Sequence, residues 1–316
     1  MKKTPITLIT GFLGSGKTTL VNHLLSSSTE KIAIIVNEFG EVGIDDQLIL
    51  RTDKDIMELT TGSICCAAKN DTLQVFETLL ERKGGDFSRV ILETTGLANP
   101  APLIRAFQQK KVLVESFFIE SVVTVIDSMH ALEQFGDRPE MSQQIVFADI
   151  VLINKIESTP PEVLLLIETQ VRRINPLARQ FRVSYSKIDA DLLFDPSLFE
   201  EERPLVTSDA KDDHHEHDGE VESMVLRVAE PLDLNKVAGW IGRELLLDGD
   251  KLLRYKGILL IDGMLERFVF QGVHHEFENR KDRLWKEGEN KQSEVVLIGK
   301  NLDRTRLKES FEACRA

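Results

Sequence analysis

Positive charge is scarce in this chain: 39 lysines and arginines stand against 52 aspartates and glutamates, a formal net charge of −13. Such a balance repels phosphate backbones and anionic lipid surfaces, so no nucleic-acid partner and no membrane partner are expected. Cysteine is equally sparse. Three thiols, two of them adjacent at Cys65 and Cys66, make no disulfide framework and suit a reducing compartment. No apolar run approaches the ~18 residues that a membrane helix needs. The apolar stretch from Ile6 is broken at once by threonines and glycines, which reads as strand and loop rather than signal peptide. A soluble, cytoplasmic protein is the expectation. Internal repeats are also missing.

What is present is length enough for two domains and an ordinary apolar content, so each can bury a core. From Pro5 to about Asp189, short β-branched runs alternate with helix-like stretches. Ile6–Thr10, Ile32–Val36, Val90–Leu92, Val122–Ile126 and Ile150–Ile153 read as buried strands. Lys17–Leu25, Thr72–Arg82 and Pro161–Ile174 carry apolar residues at helical spacing. The alternation predicts an α/β domain with a mostly parallel sheet, over residues 1–195. A charged and polar linker, residues 196–220, follows. Residues 221–316 read as a small α+β domain of βαβββα order. Its strands are Ser223–Val228, Leu252–Ile261, Arg267–Val273 and Glu294–Ile298; its helices are Leu234–Leu247 and Asp303–Cys314. Asp262-Gly263 marks a hairpin within it.

The chemistry begins at Gly11-Phe12-Leu13-Gly14-Ser15-Gly16-Lys17-Thr18-Thr19, a full P-loop pattern with a strand before it and a helix after it. Gly11, Gly14 and Gly16, with Ser15, let backbone N–H groups turn toward phosphate oxygens. Lys17 supplies a cation to the β and γ phosphates, and the Thr18 hydroxyl supplies a ligand for Mg²⁺. Thr19 opens the helix whose positive end faces the same phosphates. Val90-Ile91-Leu92-Glu93-Thr94-Thr95-Gly96 forms the second half of the site. Glu93 reaches the carboxyl edge of the sheet, where a carboxylate holds a Mg²⁺-bound water or orients the attacking one. The Gly96 N–H can approach the γ phosphate. Lys17 and Glu93 are therefore the catalytic candidates.

Asn154-Lys155-Ile156-Glu157 follows the strand Ile150–Ile153 at the position of the guanine motif Asn-Lys-x-Asp. A carboxylate there accepts from the ring N1–H and the exocyclic amine, a donor pair that adenine lacks. Glu157 stands where aspartate is usual, and its longer arm still reaches for a bidentate contact. Ser184 or Ser186 could flank the base. No arginine finger is identifiable, so slow turnover of GTP is expected.

Thr61-Gly62-Ser63-Ile64-Cys65-Cys66 falls in a loop on the nucleotide side of the sheet. Its thiols are either small packing residues or ligands for a borderline metal such as Zn²⁺. Asn37-Glu38-Phe39-Gly40-Glu41 lies where switch I of a GTPase would lie, and Glu38 or Glu41 could add a carboxylate ligand. His214, His215 and His217 sit in a polar tract that suits loose metal capture in a solvated linker. His274-His275, at the end of a predicted strand, point to opposite faces and read as structural. His130 is a single candidate near a strand end, and Cys314 reads as packing.

Taken together, GFLGSGKTT, NEFGEVGIDDQL, GSICC, ETTGLANP, NKIE and RYKGILLIDG resemble the CobW/HypB/UreG class of GTPases, specifically its CobW-like metallochaperones, over nearly the whole chain. The resemblance implies a P-loop GTPase with Mg²⁺ that couples GTP hydrolysis to delivery of zinc or cobalt to a client metalloprotein. It also implies a CobW-type C-terminal domain. The family's metal signature is Cys-x-Cys-Cys; here Ser63 takes its first position, while Cys65 and Cys66 match the others. A serine hydroxyl is a poor zinc ligand beside a thiolate, so either another side chain, such as the Glu41 carboxylate, completes the shell, or metal binding is weak, altered or lost. Two other functions compete: a metal-storage module with structural nucleotide, and an ATP-using P-loop relative. The client, the physiological metal and the oligomeric state, a homo-oligomer among the options, are not fixed by the sequence.

Overall fold

The computed structural model describes residues 3–29, 31–37, 58–61, 73, 76, 77, 79, 80, 87–194, 221–246 and 251–316. The expected linker 196–220 lies outside them. The chain divides into two compact units, Met1–Gln170 with Ala178–Glu201, and Val171–Leu177 with Glu202–Ala316.

In the first unit, β1 (Thr4–Gly11) leads into α1 (Lys17–Ser27), followed by β2 (Ile32–Asn37), β3 (Glu58–Thr61) and β4 (Arg89–Glu93). The chain continues through α2 (Ala101–Gln109), α3 (Lys111–Ser116) and β5 (Phe117–Asp127). Helices α4 (Ala131–Asp137) and α5 (Pro139–Phe147) precede β6 (Ile150–Asn154), α6 (Pro161–Ile174) and β7 (Arg179–Arg182). The strands form one seven-stranded sheet in the order β3-β2-β4-β1-β5-β6-β7. Every neighbouring pair is parallel. A parallel sheet is buried on both faces, which is why β4 and β6 are apolar runs without alternation. On one face Leu20, Val21, Leu24 and Leu25 of α1 share a core cluster with residues of β1, β4 and β6.

The expected five strands are present, and two more extend the sheet at its edges. β3 (ELTT) and β7 (RQFR) are four residues each and largely polar. An edge strand pairs on one side only, so it needs no apolar run and escapes a reading based on hydrophobicity. Helices α2 to α5 were not anticipated either. α2 buries only Ala101, Ile104 and Phe107, too few positions to stand out from a loop. Within the expected helix Thr72–Arg82, the described residues 73, 76, 77, 79 and 80 are helical.

The order of the strands fixes where a ligand can enter. From β1 the chain moves outward to β2 and β3, returns to β4 beside β1, and then crosses to β5 on β1's other side. The crevice opens at the carboxyl end of β1, where the connections diverge.

The second unit holds β8 (Val221–Val228), α7 (Leu234–Trp240), β9 (Leu252–Leu259), β10 (Glu266–Val273), β11 (Glu276–Leu284), β12 (Ser293–Lys300) and α8 (Arg304–Glu312). Its five strands are antiparallel in the order β11-β10-β9-β12-β8. The expected βαβββα order is therefore corrected to βαββββα. The missed strand, β11, reads EFENRKDRL and lies at the edge, where charge is tolerated and useful. His274-His275 is accordingly not a strand end with opposed side chains. It is the two-residue turn between β10 and β11, with His274 at φ +53°. The expected helix Leu234–Leu247 is α-helical to Trp240 and continues as a π-helical turn, Ile241–Leu246. Asp233 and Asp303 cap α7 and α8 by accepting from the Lys236 and Arg306 amides at 2.8 and 3.0 Å. Trp240 and Phe311 bring the two helices into one core with Leu226, Tyr255 and Leu297, and Cys314 packs into the same core.

Candidate functional site

The loop after β1 has the shape its glycines allow. Gly11, Gly14 and Gly16 take φ of +140°, +74° and +110°, which side chains rarely tolerate. Gly16 has a second constraint: a Cβ there would fall on Asn154 Nδ2 and lie 2.7 Å from Ser186 Oγ. α1 starts at Lys17, so its free N–H groups point into the loop. The Lys17 side chain is buried and folds back over the loop, donating to the Phe12 carbonyl at 3.2 Å. Ser15 Oγ is buried and has no hydrogen-bond partner among the described residues. A glycine cradle, a buried lysine and an unsatisfied hydroxyl are what a polyphosphate fits.

Thr18 and Glu93 meet although 75 residues separate them in sequence. The Thr18 hydroxyl donates to Glu93 Oε1 at 3.0 Å. Parallel pairing of β4 to β1, with Ile9 opposite Glu93, delivers the carboxylate beside the phosphate loop. A hydroxyl and a carboxylate side by side are hard oxygen ligands, which fits Mg²⁺. Thr19 is exposed on α1. Gly96 does not need a left-handed backbone. It needs room, because a Cβ would lie 2.6 Å from the Leu13 amide nitrogen.

The end of the cleft expected to take the base is built on Asn154. Its Nδ2 donates to the Ser15 carbonyl at 2.8 Å and to Ser186 Oγ at 2.9 Å, while its Oδ1 accepts from the Ser186 amide at 2.8 Å. Ser186 Oγ in turn donates to the Gly16 carbonyl at 2.9 Å. Glu157 accepts from the Ser184 hydroxyl at 2.6 Å. That bond, with Glu157's own backbone N–H, holds the exposed carboxyl below its usual value. Both serines named from the sequence thus lie at this end of the cleft. Tyr185 and Ser186 sit at φ +54°, so the loop after β7 is bent sharply toward it.

Lys155, at φ +63°, donates to Asp127 Oδ2 at 2.7 Å. Asp127 also bonds His130 Nδ1 at 3.0 Å and the Met129 amide at 3.0 Å. Burial alone would raise the Asp127 carboxyl. The hydrogen bonds from Lys155, His130 and Met129 outweigh it and lower the pKa. Sequence reasoning passed over Asp127, although its place at the carboxyl end of β5, in register with Asn154, was the available signal. It also passed over Gln144. His130 finds a partner in Asp127.

Glu38, Glu41, Ser63, Cys65, Cys66 and the His214–His217 tract lie outside the described residues. Among the described residues no cluster of three or more His, Cys, Asp or Glu is arranged to hold a metal, and no helix is long and apolar enough to cross a membrane.

Residues 5–182 match the model of the CobW/HypB/UreG nucleotide-binding domain, and residues 221–315 match the cobalamin synthesis protein CobW C-terminal domain. The chain is 36% identical to the zinc chaperone YjiA of Escherichia coli, with all of both proteins covered. It is 29% identical to the zinc chaperone CobW of Pseudomonas aeruginosa, over 97% of this chain and 90% of that one. Among solved structures, the Zn(II)-bound YjiA GTPase from E. coli matches with a TM-score of 0.79 and 33% identity over the whole of both chains. A Zn(II)-bound triple mutant of that GTPase, with one glutamate and two cysteines changed to alanine, matches equally well.

Proposed function

The chain belongs to the CobW/HypB/UreG family, and from that premise we propose that it is a GTP-hydrolysing metallochaperone, coupling hydrolysis to transfer of a divalent transition metal to a client metalloprotein. Zinc is the favoured cargo, with cobalt as the alternative, because relatives that align along nearly their whole length are zinc chaperones. The observation that carries the reading is the Thr18–Glu93 hydrogen bond inside an intact phosphate loop. It brings a Mg²⁺-type ligand pair to the phosphate end of a cleft whose other end carries Asn154 and Glu157.

The residues divide the work by position. The backbone of residues 11–16 and the Lys17 ammonium hold the β and γ phosphates in line for attack. Gly96 offers its N–H to the terminal phosphate. Thr18 and Glu93 would hold Mg²⁺, which when bound neutralises charge on the β and γ oxygens. Asn154 ties the phosphate loop to the base end, so the two halves of the nucleotide are read by one rigid frame. Glu157 accepts from the guanine N1–H and amine, exchanging its bond to Ser184 for the base. Cys65, Cys66 and Glu41 are the proposed cargo ligands, weaker than a three-thiolate set because Ser63 stands first in the motif.

Phosphate release measured with GTP and with ATP at equal concentration, in the presence of Mg²⁺, tests the reading. GTP is expected to be turned over, slowly, and ATP much less. Equal turnover of both, or none of GTP, overturns it.

A further inference from the structure

Gln144 is 1% exposed on α5, and its side-chain amide nitrogen donates to two backbone carbonyls, those of Gly96 and Ala98, each at 3.2 Å. Both hydrogens of the amide are thereby committed. The glutamine is itself held from behind, since its own carbonyl accepts from Thr124 Oγ1 of β5 at 2.9 Å. The segment it grips is the one that follows Glu93. There the Thr94 amide donates to the Ile9 carbonyl at 2.9 Å, and the Ala98 amide closes a turn onto Thr95 O at 3.0 Å. On its other side the segment lies so close to the phosphate loop that Gly96 has no room for a Cβ beside Leu13. Residues 94–98 are thus clamped between Leu13 and Gln144.

A clamp on a carbonyl sets a peptide plane. In a trans peptide the C=O and the following N–H point in opposite directions. Pinning the Gly96 carbonyl toward α5 removes the ψ freedom that Gly96 would otherwise have, and the turn so held keeps the Thr95 carbonyl on the Ala98 amide, which sets the plane of the Thr95–Gly96 peptide and with it the direction of the Gly96 N–H. An apolar side chain of similar volume would fill the same space but take this donor from the buried Gly96 carbonyl and the partly buried Ala98 carbonyl. Beyond α5 the chain enters β6, whose end carries Asn154, so one short stretch of chain borders both ends of the cleft.

We propose that Gln144 is a positioning residue for the terminal phosphate: by holding the Gly96 and Ala98 carbonyls it orients the Gly96 amide toward the γ phosphate and so sets the preference for GTP over GDP. The inference rests on the GTPase reading of the cleft. Gln144 touches no reacting atom and acts only through the backbone it holds.

Gln144→Met keeps volume and removes the donor. Affinities for GDP and for a non-hydrolysable GTP analogue, both with Mg²⁺, are compared between this variant and the unaltered chain, together with kcat and KM for GTP. The expected result is about a tenfold loss of analogue affinity with GDP affinity held within about twofold, and a fall in kcat larger than any rise in KM. Gln144→Asn, which keeps the amide but is one methylene short, should show a smaller change in the same direction; it serves as the test if the methionine variant does not fold. Equal loss of both nucleotides, or loss of neither, overturns the positioning role while leaving the GTPase reading intact. Failure of the unaltered chain to bind either nucleotide overturns both.

Discussion

Asn154 carries more of the cleft than its place in a four-residue motif suggests. Its side chain bonds Ser15, Ser186 and, through Ser186, Gly16, so the guanine end and the phosphate end share one buried amide. Single substitutions should therefore separate by the end they touch. Lys17 is the proposed phosphate ligand, and Lys17→Ala removes the cation on which γ-phosphoryl transfer would depend. Turnover of GTP should fall by about 100-fold or more, with weaker binding, in a phosphate-release assay; turnover like that of the unaltered chain would refute the phosphate-loop assignment. Glu157 is the proposed reader of the base. Glu157→Ala should lower the preference for GTP over ATP by roughly tenfold or more, in the range of a hydrogen bond to a charged group. Competition between the two nucleotides measures it, and an unchanged preference would mean that Glu157 does not read the base.

At the scale of elements, the legible parts were those with one strong local cause. β1, β2, β4, β5 and β6 announce themselves because a strand buried on both faces must be apolar throughout, and the phosphate loop because its three positive-φ positions favour glycine. Edge strands β3, β7 and β11 carry no such signal. Contacts made across long sequence separations were hidden for a different reason. Thr18 with Glu93, and Gln144 with Gly96, depend on strand order, which periodicity does not encode. The β10–β11 hairpin illustrates the same point with charge. Arg267, almost fully buried in β10, pairs with Asp282 of β11 and with Glu289 beyond it. Glu289 also accepts two bonds from Arg283, at 2.8 and 2.9 Å, and one from the Lys286 amide. The Arg283 bonds, against the opposing effect of burial, bring the Glu289 carboxyl from 4.5 down to about 2. A carboxylate depressed on folding adds stability above its unfolded value and loses it as pH falls through the folded one. The second unit should therefore lose stability between about pH 4.5 and 2. Glu289→Gln should be less stable at neutral pH and equal to the unaltered chain near pH 2. Both tryptophans, Trp240 and Trp285, lie in this unit, so their fluorescence during urea unfolding reports it directly. A Glu289→Gln chain with the same acid slope as the original would contradict the assignment.

At the scale of the whole molecule, the account requires that nucleotide and metal be felt at each other's sites. Reciprocity is a thermodynamic necessity: if zinc changes the affinity for GTP, GTP changes the affinity for zinc by the same factor. The His214–His217 tract is a second candidate for metal capture, so total zinc bound is a poor reporter of a single loop. The difference between nucleotide states is a better one. A switch that releases cargo on hydrolysis must hold metal more tightly in one nucleotide state than in the other, and typical couplings of 1–3 kcal/mol correspond to about 5- to 150-fold. The decisive measurement is the zinc dissociation constant of the full chain, by chelator competition, with a non-hydrolysable GTP analogue and with GDP. A GTP-driven metallochaperone predicts a difference of at least about fivefold that disappears in Cys65→Ser. The same zinc affinity in both nucleotide states would contradict it and leave a metal-binding protein in which the nucleotide is only structural.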